Sequence, residues 1–489
     1  MAQCTAIIDI GSNSMRMAVF QKTSRFAFHI LHEVKSSVRL SEHAYKNGGN
    51  LQDEPMERTS LAIGEFLSIA RSFGARKILC VATSALRDAP NASTFLSRIQ
   101  RQHNLSIKVI SGEREAYLGG IACANLLPSL RDAITVDVGG GSSEFAFLRN
   151  GKVEQLFSLN IGTVRIKELF FDINDINGAT IYIDEALKQL PNFNTNTLIG
   201  IGGTFRALTR AMMKKEDYPL KKLHAYTTNT NTFLRFTTQI LEAGPKKLRS
   251  MFIKPDRFDT IKPGSLILER IIRHLTMQTV ICSGVGVREG VFLSDLLRNS
   301  GDCFPANYNP SVRYLLDTYG LHSDHALQCA HLSKRLFELL HETLKIDPTY
   351  KQELTIAAKL LSIGVDIRYY AYQRHSHYLA MNILDYALTH KQIALISHLL
   401  LFKKGHTSSE LVIKGSYGVL LPDNATLNAL SSLLWLSHIL LASRVNASEL
   451  SLVLEKGALI ISGAHLYLAR EQLKNIILPK NITLTLRDI

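Results

Sequence analysis

Asp9-Ile10-Gly11-Ser12-Asn13-Ser14 and Asp137-Val138-Gly139-Gly140-Gly141-Ser142 are two short loops, 128 residues apart, with one design. Each follows an apolar run, Thr5 to Ile8 in the first case and Ala133 to Val136 in the second. Both runs have the length of a buried strand and end in a carboxylate, after which small residues take over. Glycines let the backbone approach an oxyanion closely, and successive N–H and hydroxyl groups can then cradle a phosphate. An aspartate beside a phosphate has a different task, holding a metal ion or an attacking water. One such loop is an ordinary turn. Two of them suggest a phosphate chain gripped between two related domains.

Leu198-Ile199-Gly200-Ile201-Gly202-Gly203-Thr204 is a third strand that breaks into glycines, with a helix expected over Phe205–Met213. Val280 to Gly290 repeats the pattern before a helix expected over Val291–Leu297. There is no G-x-x-x-x-G-K-[ST], and the glycine spacing does not suit a dinucleotide fingerprint.

The rest of the first 300 residues is consistent with a duplicated α/β plan. Strands are expected over Arg76–Ala82 and Leu105–Ile110, and helices over Asn91–Gln102 and Glu113–Leu126. After Pro128, Ile134–Val138, Ser143–Arg149 and Lys152–Leu159 read as strands, with Asn150-Gly151 a hairpin turn. From about residue 300 helical spacing dominates: Asp324–Leu344, Gln352–Ile363, Leu379–Tyr386, Lys391–Phe402 and Ala425–Val445. Strands are expected near Ala458–Ser462 and Ile482–Leu486. The expected domains are 1–128, 129–299 and 300–489.

Composition narrows the function classes. With 46% hydrophobic and 20% charged residues, the chain can bury real cores. Its six cysteines show no C-x-x-C and no zinc spacing, which points to a reducing cytoplasm. No segment reads as a leader or a membrane span. The net charge of +14 is concentrated: residues 205–275 hold 15 Lys and Arg against 6 Asp and Glu. Such a field draws in a polyanion. No motif for reading nucleic-acid bases accompanies it, so no specific nucleic acid is expected.

The loops, with Thr83-Ser-Ala-Leu-Arg87, Ile110-Ser-Gly-Glu-Arg-Glu-Ala116, Asp137 to Glu144 and Arg288-Glu-Gly290, carry a closer resemblance. The chain resembles the actin, Hsp70 and sugar-kinase superfamily and, within it, the exopolyphosphatase and guanosine pentaphosphate phosphohydrolase (Ppx/GppA) family. The resemblance implies duplicated ribonuclease H-like (actin-like ATPase) α/β domains facing across a cleft, then a mostly helical HD-like module. It implies magnesium-dependent hydrolysis of a terminal phosphoanhydride, on inorganic polyphosphate or on guanosine pentaphosphate. A homodimer is expected, with the helical module extending an anion channel or building the dimer interface.

The chemistry assigns roles. Asp137 and Asp9 are expected to hold Mg2+. Gly11, Ser12, Asn13, Ser14, Gly139, Gly140, Gly141, Ser142, Gly202, Gly203 and Thr204 are expected to bind substrate. Glu113 and Glu115 both open a helix, where a carboxylate complements the helix dipole, and position alone does not separate them. The resemblance places Glu115 at the water-activating position and makes Glu144 a second site carboxylate. Arg87 suits a bidentate phosphate clamp. In the HD-like module Leu361 and Ser362 stand where a His-Asp metal pair would be needed, and His375, His377, His390, His398 and His406 are read as structural. No second metal is therefore expected. The rival functions are a nucleotide-dependent kinase, for which no adenosine pocket is recognisable, and a non-enzymatic polyanion-binding regulator.

Overall fold

The structure, a computed structural model, describes residues 3–320, 323–401, 409, 417–445, 447, 450–474 and 482–488. It divides into two compact units, residues 1–308 and 309–489.

The first unit holds two sheets. β1 (Cys4–Ile10), β2 (Met15–Lys22), β3 (Phe28–Ser36), β4 (Lys77–Ala82) and β5 (Ile107–Val109) are arranged in the order β3-β2-β1-β4-β5. β6 (Asp132–Val138), β7 (Ser143–Arg149), β8 (Lys152–Leu159), β9 (Thr197–Ile201), β10 (Thr227–Asn229) and β11 (Thr279–Cys282) follow the order β8-β7-β6-β9-β11-β10. β1 lies antiparallel to β2 and parallel to β4, just as β6 lies antiparallel to β7 and parallel to β9. The two sheets are one plan built twice. β10 is an antiparallel addition at the edge of the second.

The duplication explains where the loops fall. Ile10 pairs with Met15 and Val138 with Ser143, so each loop is a four-residue hairpin connection closing the two leading strands. Gly11 N–H donates to Ser14 O at 3.3 Å, and Gly139 N–H to Ser142 O at 3.0 Å. The strands ending there are buried along most of their length, so the hydrophobic effect fixes the register that presents the loops. The two sheets have separate apolar cores, one around Ile8, Met17 and Phe66, the other around Ile134, Phe205 and Ile267.

Two helices tie the sheets together. Gly112–Leu126 follows β5 in sequence yet lies on the second sheet, with Gly120 against Ala146 and Val153. Val287–Leu296 follows β11 yet reaches the first sheet, where Phe292 stacks on Phe20 with ring centroids 4.3 Å apart. The two helices meet where Gly290 leaves no room for a side chain beside the Leu118 carbonyl.

In the second unit, helices Ser323–Leu340, Lys351–Lys359, Tyr372–Ile383, His390–Leu399 and Asn424–Leu440 enclose a leucine-rich core. β12 (Ser451–Glu455), β13 (Ala458–Gly463) and β14 (Thr483–Asp488) form a small sheet in the order β12-β13-β14. The helix expected over Leu379–Tyr386 starts instead at Tyr372 and stops at Ile383. Ala371 before it is left-handed, and Leu384 after it is extended and fully buried. Phe402 and His406 lie outside the described residues. No disulfide forms among the six cysteines. Among the described residues no helix is long and apolar enough to cross a membrane.

Candidate active site

The two hairpin loops meet face to face. A Cβ on Gly140 would lie 2.5 Å from Ser12 Cβ, closer than atoms can approach, so only glycine fits there. Gly141 is equally confined by the Tyr45 and Ser84 hydroxyls. Carbonyl oxygens of both loops are occupied by neighbouring backbone. Arg39 and Ser41 N–H groups donate to Asn13 O and Ser12 O, each at 3.1 Å. Thr163 and Val164 N–H groups, at the start of helix Thr163–Leu169, donate to Gly139 O at 2.9 Å and Gly140 O at 2.8 Å. With their carbonyls turned away and satisfied, the loops present hydroxyls and donors to a cavity of about 130 Å³.

That cavity is lined by Asp9, Gly11, Ser12, Asn13, Ser14, Glu115, Asp137, Gly139, Gly140, Gly202, Gly203 and Thr204 among the expected residues. Helices begin at Gly202 and Val287, earlier than the expected Phe205 and Val291: Gly202-Gly203 are themselves the first turn of one, and Gly286 caps the other, whose first turn is Val287 to Gly290. The first-turn N–H groups that lack intrahelical acceptors are thereby placed at the cavity wall. Gly202 is left-handed, with φ +89°, and a Cβ there would lie 2.5 Å from Asp137 Oδ1.

Gly141, Ser142, Arg87 and Glu144 stand behind the wall. Arg87 donates to Glu115 Oε2 and to the Ser142 hydroxyl, both at 3.1 Å, and approaches Glu144 Oε1 at 3.8 Å. Ser158 donates to Glu144 Oε1 at 3.0 Å. Two buried carboxyls thus share one guanidinium. Burial holds Glu115 well above the usual carboxylate range, and Glu144 adds to the shift more than Arg87 opposes it. Glu144 is raised in the same direction, chiefly by burial, against the Ser142 hydroxyl and with Asp137 adding. Glu113, by contrast, is exposed.

Asp9 and Asp137 occupy equivalent places on β1 and β6. Both are raised by burial, Asp137 to about 6; against the nearby arginines, Glu289 raises Asp9 further and Asp9 raises Asp137 further. Two half-buried carboxylates held toward their neutral forms at a donor-rich wall suit a divalent cation, which would favour both charged forms.

Four arginines complete the lining: Arg16, Arg206, Arg257 and Arg288. Arg206 is anchored by donating to Gly202 O at 3.1 Å and Gly284 O at 3.0 Å. Arg288 pairs with Glu33 at 2.8 Å. Burial and the other three arginines hold Arg16 down at about 10. Lys35, opposite Arg16 across β2 and β3, is lowered by burial and then by Arg257 and Arg16, with Lys254 contributing. Positive charge therefore runs out of the cavity through Arg257 to Lys35 and Lys254. The remainder of the basic stretch is divided: Lys246, Lys247 and Arg249 are exposed and do not line the cavity. Arg16 and Thr163 carry no sequence signal of their own, Arg206 and Arg257 belong in the sequence only to the basic stretch, and Ser84 and Glu289 only to the quoted motifs. The pairing of Arg16 with Asp9 in the leading hairpin was the one local signal available.

Comparison with known proteins follows the same lines. The Ppx/GppA phosphatase family matches residues 18–299, and domain III of that family matches residues 309–480. A bifunctional 3-dehydroquinate synthase/phosphatase of Fusobacterium nucleatum is 30% identical over 298 residues, which are 57% of this chain and 44% of the relative. The chain thus spans less than half the length of that curated relative. The crystal structure of the Aquifex aeolicus Ppx/GppA family member has a TM-score of 0.52 and 28% identity, covering 61% of this chain and 99% of that one. An exopolyphosphatase structure from Cytophaga hutchinsonii shares the fold, at TM-score 0.55 and 23% identity, over 60% of this chain and 98% of that one. With the duplicated sheets, the facing glycine loops and both family matches in register along its length, the chain belongs to the Ppx/GppA phosphatase family.

Proposed function

We propose that the cleft hydrolyses the terminal phosphoanhydride of linear inorganic polyphosphate. The observation that carries this reading is the convergence of Arg16, Arg206, Arg257 and Arg288 on the cavity that Glu115 and the two hairpin loops enclose. Loop donors and guanidiniums bind the terminal phosphoryl oxygens and hold them in line with an attacking water. Glu115 takes a proton from that water; its raised affinity for protons brings it closer to the strength a base needs near neutrality. Arg87 orients Glu115, and Glu144 shares the guanidinium, so the pair keeps one carboxylate available while repelling a second charge. A divalent cation, which Asp9 and Asp137 would hold, supplies neutralisation of phosphate charge when bound.

Guanosine pentaphosphate is the alternative substrate. A nucleotide needs a surface for its base, and no aromatic side chain lines the cavity among the described residues. The basic path through Lys35 and Lys254 suits a longer phosphate chain. Both arguments favour polyphosphate, and the lack of a base-stacking surface disfavours a nucleotide-dependent kinase. Phosphate release from long-chain polyphosphate, guanosine pentaphosphate and ATP, each with magnesium, tests the proposal. Release should be fastest from polyphosphate; preference for guanosine pentaphosphate would reassign the substrate, and no release from any would refute hydrolysis.

A further inference from the structure

The C-terminal unit brings together three side chains with no part in the cleft: His325, Cys329 and His438. His325 and Cys329 stand four residues apart on helix Ser323–Leu340 and so share one face of it. His438 comes from helix Asn424–Leu440, which is held against the first helix by the Ser333 and Ser437 hydroxyls, 2.7 Å apart. Trp435 stacks on the His438 ring with centroids 5.5 Å apart. One ligand atom of each residue lies within 4.8 Å of the other two.

The distances suit a metal. His325 Nε2 and Cys329 Sγ are 3.6 Å apart. A nitrogen and a sulfur bound to one tetrahedral zinc, with bonds of about 2.0 and 2.3 Å, are themselves about 3.5 Å apart. Drawing in the remaining ligand asks for a movement on the order of 1 Å, within the reach of a side-chain rotation. The cluster opens on a cavity of about 220 Å³ whose wall includes Leu361, Ser362, Tyr372 and Arg444 and no carboxylate among the described residues. Imidazole and thiolate without carboxylate select a borderline-soft ion over magnesium or calcium.

We infer that the C-terminal unit binds one zinc-class transition-metal ion through His325, Cys329 and His438, with the fourth coordination position facing the cavity. Leu361 and Ser362 contribute no ligand, and the absence of a metal expected on their account does not follow, because the ligands come from elsewhere in the fold. On binding, the Cys329 thiol proton passes to solvent and a metal–sulfur bond replaces it. Burial holds both histidines down at about 4, so their rings are neutral and offer lone pairs without losing a proton. Burial pushes the Cys329 thiol up to about 12, against the opposing effect of Arg444, so the metal–sulfur bond has to displace that proton; the bound cluster carries one net positive charge.

The test uses the full chain, stripped with a chelator and loaded with Zn2+ or, as a spectroscopic probe, Co2+. After desalting, wild type should retain about one zinc per chain more than Cys329→Ser. The cobalt form should show a thiolate-to-cobalt charge-transfer band that Cys329→Ser abolishes and His438→Gln weakens. Magnesium-type sites in the cleft contain no thiolate and cannot produce that band. Thermal unfolding of each variant shows whether it is folded. Equal zinc retention by wild type and a folded Cys329→Ser, or cobalt bound by wild type without the thiolate band, overturns the inference.

Discussion

Gly140→Ala is the sharpest probe of the facing loops. The added methyl would lie 2.5 Å from Ser12 Cβ, whereas unstrained carbon atoms rest about 3.5–4.0 Å apart. The loops must therefore separate by on the order of 1 Å. Overpacking of this kind typically costs about 1–3 kcal/mol. A displacement of about 1 Å at a site that positions a phosphoryl group for in-line attack can lower turnover about a hundredfold. Ser12→Gly removes the opposing Cβ, so the double variant should recover part of both losses, with a coupling energy of about 1–3 kcal/mol. Gly244→Ala is the control: nothing lies within 4 Å of a Cβ there, and stability should shift by about 1 kcal/mol or less without change in turnover. Thermal unfolding and phosphate release from polyphosphate, measured on all four variants, complete the cycle. Strictly additive effects of Gly140→Ala and Ser12→Gly would refute the contact between the loops.

Other consequences are equally open to measurement. Glu115→Gln should lower turnover by about a hundredfold or more with little change in binding, while Glu113→Gln, at an exposed position, should do far less; equally mild variants would remove Glu115 from its role. Asp137 has a folded-state pKa raised from 3.8 to about 6, so its contribution to stability is fully present below about pH 4 and is lost as pH rises through 6. Asp137→Asn should therefore stabilise the metal-free protein at pH 7, by on the order of 2 kcal/mol, while eliminating magnesium's effect on its melting temperature; denaturation at pH 4 and pH 7, with and without magnesium, checks both. Neutralising Lys35 and Lys254 together should raise KM for long polyphosphate and flatten its salt dependence, by the counterion-release reasoning developed for nucleic acids. The same pair of changes should leave the salt dependence for guanosine pentaphosphate nearly unaltered, and identical behaviour of the two substrates would make the basic path an ordinary solvated face.

The parts of this architecture legible in the sequence are those whose cause is local. A buried strand ending in Asp and small residues announces a hairpin loop, and both hairpins lie where their strands end. Asn150-Gly151 marked the β7–β8 turn for the same reason. What escaped depends on long-range packing. Arg257 reaches the cavity because its guanidinium lies over Gly203, and Arg206 because the Gly284 carbonyl receives it. Neither partner is near in sequence. Charge counting found the basic stretch but could not separate its cavity arginines from exposed Lys246 and Lys247. His325 and His438 are united by the crossing of two helices, and the spacing of neither helix records its partner. Glycine is a poor helix former, so the sequence pattern places the two helix starts at Phe205 and Val291; the helices begin at Gly202 and Val287, where the free N–H groups of a first turn are what the wall requires.

The contact between Gly140 and Ser12 also bears on the shape of molecule this cleft can accept. Where the two loops touch there is no gap through which a strand of phosphates could be threaded, so that side of the cavity is shut. On the reading proposed above, a phosphate polymer would then enter by its tip and give up its units one at a time. A phosphate ring has no tip. Phosphate release from cyclic metaphosphates should therefore be undetectable, however well their charge matches the arginines.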